Sequence, residues 1–265
     1  MYIFDYQRPT DRKAAVEAVQ DGDARYLAGG QSLIQAMKLR LSSCSRLVDL
    51  GAIEDLRGIA VGGGYVTVGA MTTHAAVARS PEVARAIPAL ACLAGGIGDR
   101  MVRNRGTVGG SLANADPAAC YPAALLGLGG KVQTNLRVIE GDTFFTGLYE
   151  TALEPGELIT SVSFAIPRKA AYVKYKQPAS RFALVGVFVS QGEGGIRVAV
   201  TGVKGNCFRF TEMERRLEEQ FTAVAAKAVM LPEDDVNGDM HGSAAYRAEM
   251  VRIMASRAVS AILAS

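Results

Sequence analysis

The sequence predicts a mixed α/β fold of the α+β type in three parts, and three observations predict it. A strand candidate, a glycine turn and a helical pattern follow one another between residues 24 and 41, giving a small unit of about 50 residues. Glycine-rich hairpin sequence at Ile59 to Met71 then changes the texture, and the last third carries apolar–polar alternation with Gly192-Glu193-Gly194-Gly195 between two strand candidates, an antiparallel hairpin signature. A chain of 265 residues exceeds the commonest single-domain size, which favours several subdomains. The texture changes place them at 1–55, 56–168 and 169–265.

In order, the first part reads as strand Tyr2 to Tyr6, a turn at Pro9, and a helix through Ala14 to Val19 with Thr10 as its N-cap, stopped by Asp21-Gly22-Asp23. Strand Ala24 to Ala28 leads into Gly29-Gly30-Gln31-Ser32. Leu33, Ile34, Met37 and Leu41 then recur at helical spacing, and strand Arg46 to Leu50 closes the unit. In the second part helices run from Thr72 through Val77 and across Pro81 to Ile97. The polar segment Asp99 to Arg105 ends in another glycine turn, Gly106 to Gly110. Asp116-Pro117 reads as an N-cap followed by proline at the first helical position, with Ala118 to Leu126 as the helix body. Strands follow at Lys131 to Thr134, Arg137 to Ile139 and Leu158 to Ile166, before Pro167-Arg168-Lys169 marks the next boundary. The third part predicts strands Ala171 to Lys176, Ala183 to Val189 and Ile196 to Val203. Helices come next at Met213 to Glu219, Thr222 to Val229 and Ala244 to Leu263, the last with Tyr246, Met250, Ile253 and Val259 as its apolar positions.

Composition narrows the function. Hydrophobic residues at 49% and charged residues at 21% are ordinary for a packed globular chain. A formal charge of +3, evenly spread, argues against nucleic acid or a membrane surface as partner. The longest apolar runs, such as Ala118 to Leu128, are too short for a bilayer span, and a cytoplasmic location is expected. Cys44, Cys92, Cys120 and Cys207 stand far apart with no metal-ligand spacing, and only His74 and His241 are present, so no metal site is expected on this chain. Hard chemistry would have to come from a cofactor.

Small residues let a backbone approach a ligand, and a helix starting just after them aims free N–H groups at an anion. Ala28-Gly29-Gly30-Gln31-Ser32 meets both conditions, although such a loop alone is more often a tight turn. Neither G-x-G-x-x-G nor G-x-x-x-x-G-K-[ST] occurs, so dinucleotide-binding and P-loop folds of those kinds find no support. The second loop, Thr107-Val108-Gly109-Gly110-Ser111, adds amides and hydroxyls enough for two segments to clamp one diphosphate. Charge-assisted hydrogen bonds contribute roughly 1.5 to 3 kcal/mol each, and micromolar to nanomolar affinity needs about 8 to 12 kcal/mol, so several such bonds plus ring burial suffice.

These residues resemble the FAD-binding subunits and domains of the molybdenum hydroxylases, the group that includes carbon monoxide dehydrogenase medium subunits and the flavin domain of xanthine dehydrogenase. The resemblance is carried by Ala28 to Leu33 and by Val102-Arg103-Asn104-Arg105-Gly106-Thr107-Val108-Gly109-Gly110-Ser111-Leu112-Ala113-Asn114-Ala115-Asp116-Pro117. Supporting segments follow in family order at 142–147, 156–159, 176–183 and 241–247. It implies a two-part FAD-binding domain of the PCMH/vanillyl-alcohol-oxidase-like type, then a C-terminal antiparallel sheet with helices. The implied cofactor is FAD, with its diphosphate on Ala28, Gly29, Gly30, Gln31, Ser32 and Leu33 and on Thr107, Val108, Gly109, Gly110 and Ser111. Asn114 and Asp116 become polar neighbours of the cofactor, Leu158 or Ile159 lines the adenine side, and Lys174 or Lys176 with Phe182 approaches the flavin, with Ile97 also in contact. Many relatives carry aspartate where this chain has Cys120, and a thiol does not replace a carboxylate acceptor. The resemblance further implies a large molybdenum-cofactor subunit and a small subunit with two 2Fe-2S clusters, assembled as a dimer of heterotrimers. Electrons would pass from the clusters to this FAD and on to a quinone, NAD or oxygen, with no catalytic residue on this chain. A stand-alone FAD-dependent reductase on a related fold and a scaffold subunit that has lost FAD are the alternatives.

Other readings of the same residues are quieter. Ser111, His74 and Asp116 suggest a hydrolase triad, but no G-x-S-x-G elbow exists and His74 suits a helix start. Cys120 reads as a packed thiol on an apolar helix face. Phe144 and Phe145 read as core, and Arg100, Arg103 and Arg105 either steer an acidic partner subunit or the cofactor phosphates, or lie on a solvated loop.

Overall fold

A computed structural model of the chain describes residues 1–20 and 22–265; Asp21, part of the expected stop to the first helix, lies outside the described residues. The N-terminal segment forms β1 (Asp5–Gln7), α1 (Arg12–Val19), β2 (Ala24–Leu27), α2 (Leu33–Lys38) and β3 (Arg46–Asp49). β3 lies between β1 and β2, parallel to both. The helix begins one residue later than the sequence suggests, because Asp11 and not Thr10 is the N-cap, its carboxylate accepting from the Ala14 N–H. Leu41 is exposed and outside α2, which ends at Lys38.

The middle segment opens with the hairpin β4 (Ile59–Gly62) and β5 (Tyr65–Gly69) and continues through six short helices, α3 (His74–Arg79), α4 (Pro81–Ala86), α5 (Pro88–Gly95), α6 (Arg100–Arg105), α7 (Val108–Asn114) and α8 (Tyr121–Gly127). Three expectations are corrected here. The helix expected across Pro81 to Ile97 is broken at Ile87, because Pro88 keeps the residue before it out of the helical region, and Ile87 sits at φ −140°, ψ 77°. The polar segment 99–105 is helix α6, capped by the Asp99 carboxylate on the Val102 N–H. Asp116 does receive a backbone N–H, from Ala118, but 117–120 turn and α8 starts only at Tyr121. The segment ends with β6 (Lys131–Thr134), β7 (Val138–Glu140), the small pair β8 (Phe145–Gly147) and β9 (Glu150–Thr151), and β10 (Ile159–Ala165). A five-stranded sheet results, in the order β4-β5-β10-β6-β7, with all its pairs antiparallel.

The C-terminal segment holds β11 (Lys169–Lys176), β12 (Ala183–Gly192), β13 (Gly195–Thr201), β14 (Phe208–Arg209), α9 (Thr211–Glu219), α10 (Ala223–Ala228) and α11 (Ala244–Leu263). The four strands form an antiparallel sheet in sequence order, and Gly192 pairs with Gly195 as the hairpin signature requires. β12 is buried from Ala183 to Ser190 because α8 covers one face of it and α11 the other. Its unbroken apolar run reflects two covered faces. Approach from the α8 side is close: a Cβ on Gly127 would lie 2.6 Å from the Phe188 ring. The face that α11 buries is Ala248, Met250, Val251, Met254, Ala255, Ala258, Val259 and Ile262, whereas Tyr246, expected among its apolar positions, is 40% exposed and edges onto Tyr175.

The largest cluster of buried side chains joins the middle and C-terminal segments, packing Leu90, Leu93, Leu112, Tyr121, Leu125, Phe144, Phe164 and Phe188 together. Each fully buried side chain of this size contributes about 1.5–3 kcal/mol, and Phe144 meets Phe145 edge-on at 5.1 Å in this core. Among the described residues no helix is long and apolar enough to cross a membrane.

Candidate functional site

The two glycine loops meet. A Cβ on Gly29 would lie 2.2 Å from the Arg105 carbonyl oxygen and 2.7 Å from the Gly106 Cα, so the backbones of the loops touch at a place only glycine allows. Gly110 approaches from the other side, where a Cβ would come within 3.2 Å of the Ala28 Cβ. Gly30 turns the first loop at φ +70°, in the left-handed region.

Beside this junction lies a cavity of ≈ 390 Å³. From the first loop it is lined by Ala28, Gly29, Gly30, Gln31, Ser32 and Leu33; from the second by Thr107, Gly109, Gly110 and Ser111, with Asn114 and Asp116 following. Leu158 and Ile159 reach it from the start of β10, Ile97 from the end of α5, and Lys174 and Phe182 from the C-terminal sheet. Of the residues singled out in the sequence, Val108 and Lys176 do not line it. The Val108 side chain is fully buried in the core at the start of α7. Lys176 lies past a register shift at the exposed end of β11.

The loops differ in what they leave free. In the second, the N–H groups of Val108 and Gly109 donate to the carbonyls of Thr72 and Ala70, Gly110 N–H donates to Thr107 Oγ1, and Ser111 N–H donates to the Thr107 carbonyl. The amide supply expected there is thus largely consumed in fixing the loop on β5 and the turn before α3. The first loop is different: Ser32 makes no side-chain capping bond, and the opening N–H groups of α2 have no intrahelical acceptor. Together the loops offer an anion the amides of the first and the Thr107 and Ser111 hydroxyls of the second.

At the far end Lys174 fixes the wall. Its ammonium donates to the Gly96 carbonyl at 2.8 Å and the Arg181 carbonyl at 2.9 Å, and lies 3.3 Å from Cys120 Sγ. One side chain thereby ties the end of α5, the turn before α8 and the loop between β11 and β12. The titratable groups respond to burial. It raises the Asp116 carboxyl, although the Ala118 N–H and the Tyr149 hydroxyl pull the other way. It pushes Tyr26 up to about 12, with the phenol donating to the Gly156 carbonyl. Burial together with the positive charge of Arg103 lowers His74 to about 4.

Several lining residues are not assigned to the site by the sequence, among them Arg25, Tyr26, Gly98, Glu157 and Arg181, while His74 is weighed there only for a triad and a helix start. Tyr26 carried a signal in its place one turn ahead of the first glycine loop. Glu157 and Arg181 lie in the supporting segments 156–159 and 176–183, but nothing in those segments singles them out as lining. Ser111, His74 and Asp116 all line the cavity, but no hydrogen bond joins them: Asp116 is engaged by Ala118 and Tyr149, and His74 Nδ1 has no partner. The geometry holds no triad. Among the described residues no group of three His, Cys, Asp or Glu side chains stands ready for a metal.

Residues 2–169 match the family model described as the FAD binding domain in molybdopterin dehydrogenase. The chain is 34% identical to the nicotine 6-hydroxylase medium subunit of Paenarthrobacter nicotinovorans over 96% of its own length and 95% of that protein's. It is also 34% identical to the carbon monoxide dehydrogenase medium chain of Hydrogenophaga pseudoflava, covering 97% of this chain and 96% of the relative. Among solved structures, reconstituted CO dehydrogenase from Oligotropha carboxidovorans superposes with a TM-score of 0.90 at 33% identity, over 99% of this chain and 98% of the other. Quinoline 2-oxidoreductase from Pseudomonas putida 86 superposes at 0.89 and 30%, over 98% and 97%. With the loops converging on one cavity and the likeness running the length of the chain, this protein belongs to the FAD-binding, medium-subunit family of the molybdenum hydroxylases, a family of oxidoreductase subunits.

Proposed function

We propose that the chain binds FAD in the cavity between its glycine loops and serves as the electron-relay subunit of a molybdenum hydroxylase. It would take electrons from iron–sulfur clusters on a small partner subunit, while a large partner subunit carries the molybdenum cofactor and the substrate. The observation that carries this reading is the Gly29–Arg105 contact, which brings together two loops some 75 residues apart in sequence beside an open cavity. When bound, FAD supplies storage for two electrons that can arrive singly.

The residues assigned to the cofactor are Ala28 to Leu33, Thr107 and Gly109 to Ser111 for the diphosphate, with Asn114 and Asp116 as polar neighbours. Leu158 and Ile159 are assigned to the adenine end, and Ile97, Lys174 and Phe182 to the flavin end. Val108 serves from behind by anchoring the second loop to Thr72. Lys174 orients the wall through its carbonyl contacts, and Cys120 occupies the place where the resemblance leads one to expect a carboxylate. The division at 1–55, 56–168 and 169–265 assigns one main sheet to each part, with the β8–β9 pair also in the second, and the cavity draws residues from all three. Assembly as a dimer of heterotrimers and a cytoplasmic location complete the proposal.

Purification with the co-expressed partner subunits tests it. The chain should co-purify with both, hold about one FAD, and have its flavin bleached when a substrate of the large subunit is added. Alone with FAD, it should oxidise no aldehyde, heteroaromatic compound or carbon monoxide. A colourless chain at saturating FAD, or NADPH oxidation by the isolated chain, overturns the reading.

A further inference from the structure

His74 is a buried base on the cavity wall whose Nδ1 has no partner in the fold. It is the first residue of α3, 5% exposed, and it lines the cavity between the second glycine loop and the core. Its Nδ1 is buried without a hydrogen-bond partner, and so is the hydroxyl of Tyr121, whose ring lies 5.3 Å from the imidazole. Native folds rarely leave such groups unpaired, because each has given up its hydrogen bonds to water with no protein partner in return. An orphan on a cavity-lining residue, backed by a second orphan in the core behind it, points to a role that a ligand completes. The imidazole is also held close to the loop: a Cβ on Gly106 would lie 2.6 Å from Nε2 and 2.9 Å from Cδ2. An anion seated against Gly106, Thr107 and the residues after them therefore sits beside this ring.

The charges facing His74 are few. α6 brings Arg103, whose guanidinium donates to the Ile97 and Gly98 carbonyls and repels a second positive charge on the imidazole. α8 brings Tyr121. The other titratable groups on the elements packed against α3 are Glu82 and Arg85 of α4, Cys92 of α5, and Arg100 and Arg105 of α6, all exposed. Asp116, Glu157, Lys174 and Arg181 share the cavity lining. In the free chain burial and Arg103 thus keep the imidazole neutral at pH 7. A diphosphate offsets the Arg103 charge and supplies a counter-ion in surroundings of low dielectric.

We propose that His74 is a proton-linked positioning residue of the cofactor site: a diphosphate against the second glycine loop draws one proton from solvent onto the imidazole, and the resulting cation stabilises the bound anion. The only bond made is the imidazole N–H, with a buffer acid giving up the proton; averaged over all molecules, the uptake per bound ligand is a fraction of a proton that rises as pH falls from 7.5 to 5.5. This inference rests on the reading that FAD fills the cavity.

The sign follows from linkage. If the bound state restores the ordinary imidazole value of 6.5 while the free chain stays at about 4, affinity is nearly flat above pH 7.5 and about tenfold tighter at pH 5.5. Calorimetric titration of the full-length apo chain with FAD, in two buffers of different ionisation enthalpy from pH 5.5 to 7.5, reads both the slope and the proton count. The wild type should take up protons and show the tenfold change; H74Q should bind FAD with a flat profile and no His-linked uptake, while H241Q, at the exposed histidine outside the cavity, keeps the uptake. ADP, which carries the diphosphate without the flavin, should reproduce it, and riboflavin should not. Since the chain has only two histidines, His74 and His241, NMR of the imidazoles in the wild type gives a second reading that needs no variant. The His74 resonance should titrate below pH 5 in the free chain and shift upward with FAD. Equal uptake in H74Q and wild type, or a His74 titration unmoved by FAD, overturns the inference while leaving FAD binding intact. Failure of the wild type to bind FAD removes the reading beneath it.

Discussion

Replacing Gly29 by alanine tests the contact on which the site depends. The added methyl would start 2.2 Å from the Arg105 carbonyl oxygen, 2.7 Å from the Gly106 Cα and 2.8 Å from the Arg105 carbonyl carbon, all backbone atoms with no rotamer to escape into. Relief requires the loops to part by about 1 Å, enough to forfeit a quarter to a half of the dispersion energy of the atoms in contact. Overpacking of this kind costs roughly 1–3 kcal/mol, which for a chain of this size lowers the melting temperature by roughly 2–12 °C. The ligand should suffer more. If even one charge-assisted bond to the diphosphate is lost with the realignment, at roughly 1.5–3 kcal/mol, FAD affinity falls about tenfold to a hundredfold. Thermal unfolding of the apo chain and titration of flavin fluorescence measure the two effects separately. Gly194→Ala is the control, because a Cβ there meets nothing within 4 Å, and its melting should match the wild type. If Gly29→Ala melts with the wild type and binds FAD with unchanged affinity, the loops do not touch as described and the reasoning fails.

Three further outcomes follow from the same geometry. Arg247 is buried, donates to the Gly202 carbonyl at 2.6 Å and the Leu184 carbonyl at 3.2 Å, and pairs with Asp239 at 2.7 Å; Arg247→Met should destabilise the chain by about 1–3 kcal/mol in denaturant unfolding by orphaning those carbonyls. Lys174→Met should leave global melting nearly unchanged but speed hydrogen exchange in residues 177–182, since the ammonium holds the Arg181 carbonyl to the end of α5; unchanged exchange there refutes the clamp. Glu157 is buried, which raises its pKa, but Arg137, the Glu154 N–H and the Thr134 hydroxyl outweigh burial and leave the carboxyl below its ordinary 4.5. Its contribution is therefore full above pH 4.5 and is lost as pH falls through the lower folded value, and Glu157→Gln should flatten that part of the pH–stability curve.

The elements legible in the sequence were those whose signal is local. Ala244 to Leu263 matches its helix end to end because Ser243 caps it and a long apolar face repeats along it. The β12–β13 hairpin was visible in its glycines. What stayed hidden depends on partners distant in the chain. The helix α6 carries no buried residue and reads as polar loop, yet Asp99 caps it and Arg103 ties it back to the Ile97 and Gly98 carbonyls. The two glycine loops announced a ligand, but nothing in a single sequence says which of their amides the fold itself consumes. Arg25, Arg181 and Glu157 lie in segments whose pattern was visible, but which of their side chains reach the cavity depends on how the three sheets come together.

The unequal use of amides explains why two loops are needed. A turn whose N–H groups are all free would have no reason to hold one shape before its ligand arrives; the second loop gives up its Val108 and Gly109 amides to the Ala70–Thr72 backbone and is rigid for that reason. The first loop keeps its donors, and its shape comes from leaning on the second, with Gly29 against Arg105 and Gly106. One loop is thus a template and the other the principal donor, and preorganisation of this kind lowers the ordering cost that binding would otherwise incur. On that division, substitutions that loosen the second loop should weaken FAD binding even though its Val108 and Gly109 amides are spent on the fold. Thr107→Val removes the hydroxyl that accepts from the Gly110 N–H while keeping the shape, at a cost of about 1 kcal/mol in stability. It should weaken FAD binding by more than that stability loss alone converts to, because a cavity-facing hydroxyl goes as well. Equal losses in the two measurements would show that the second loop acts only as scaffold.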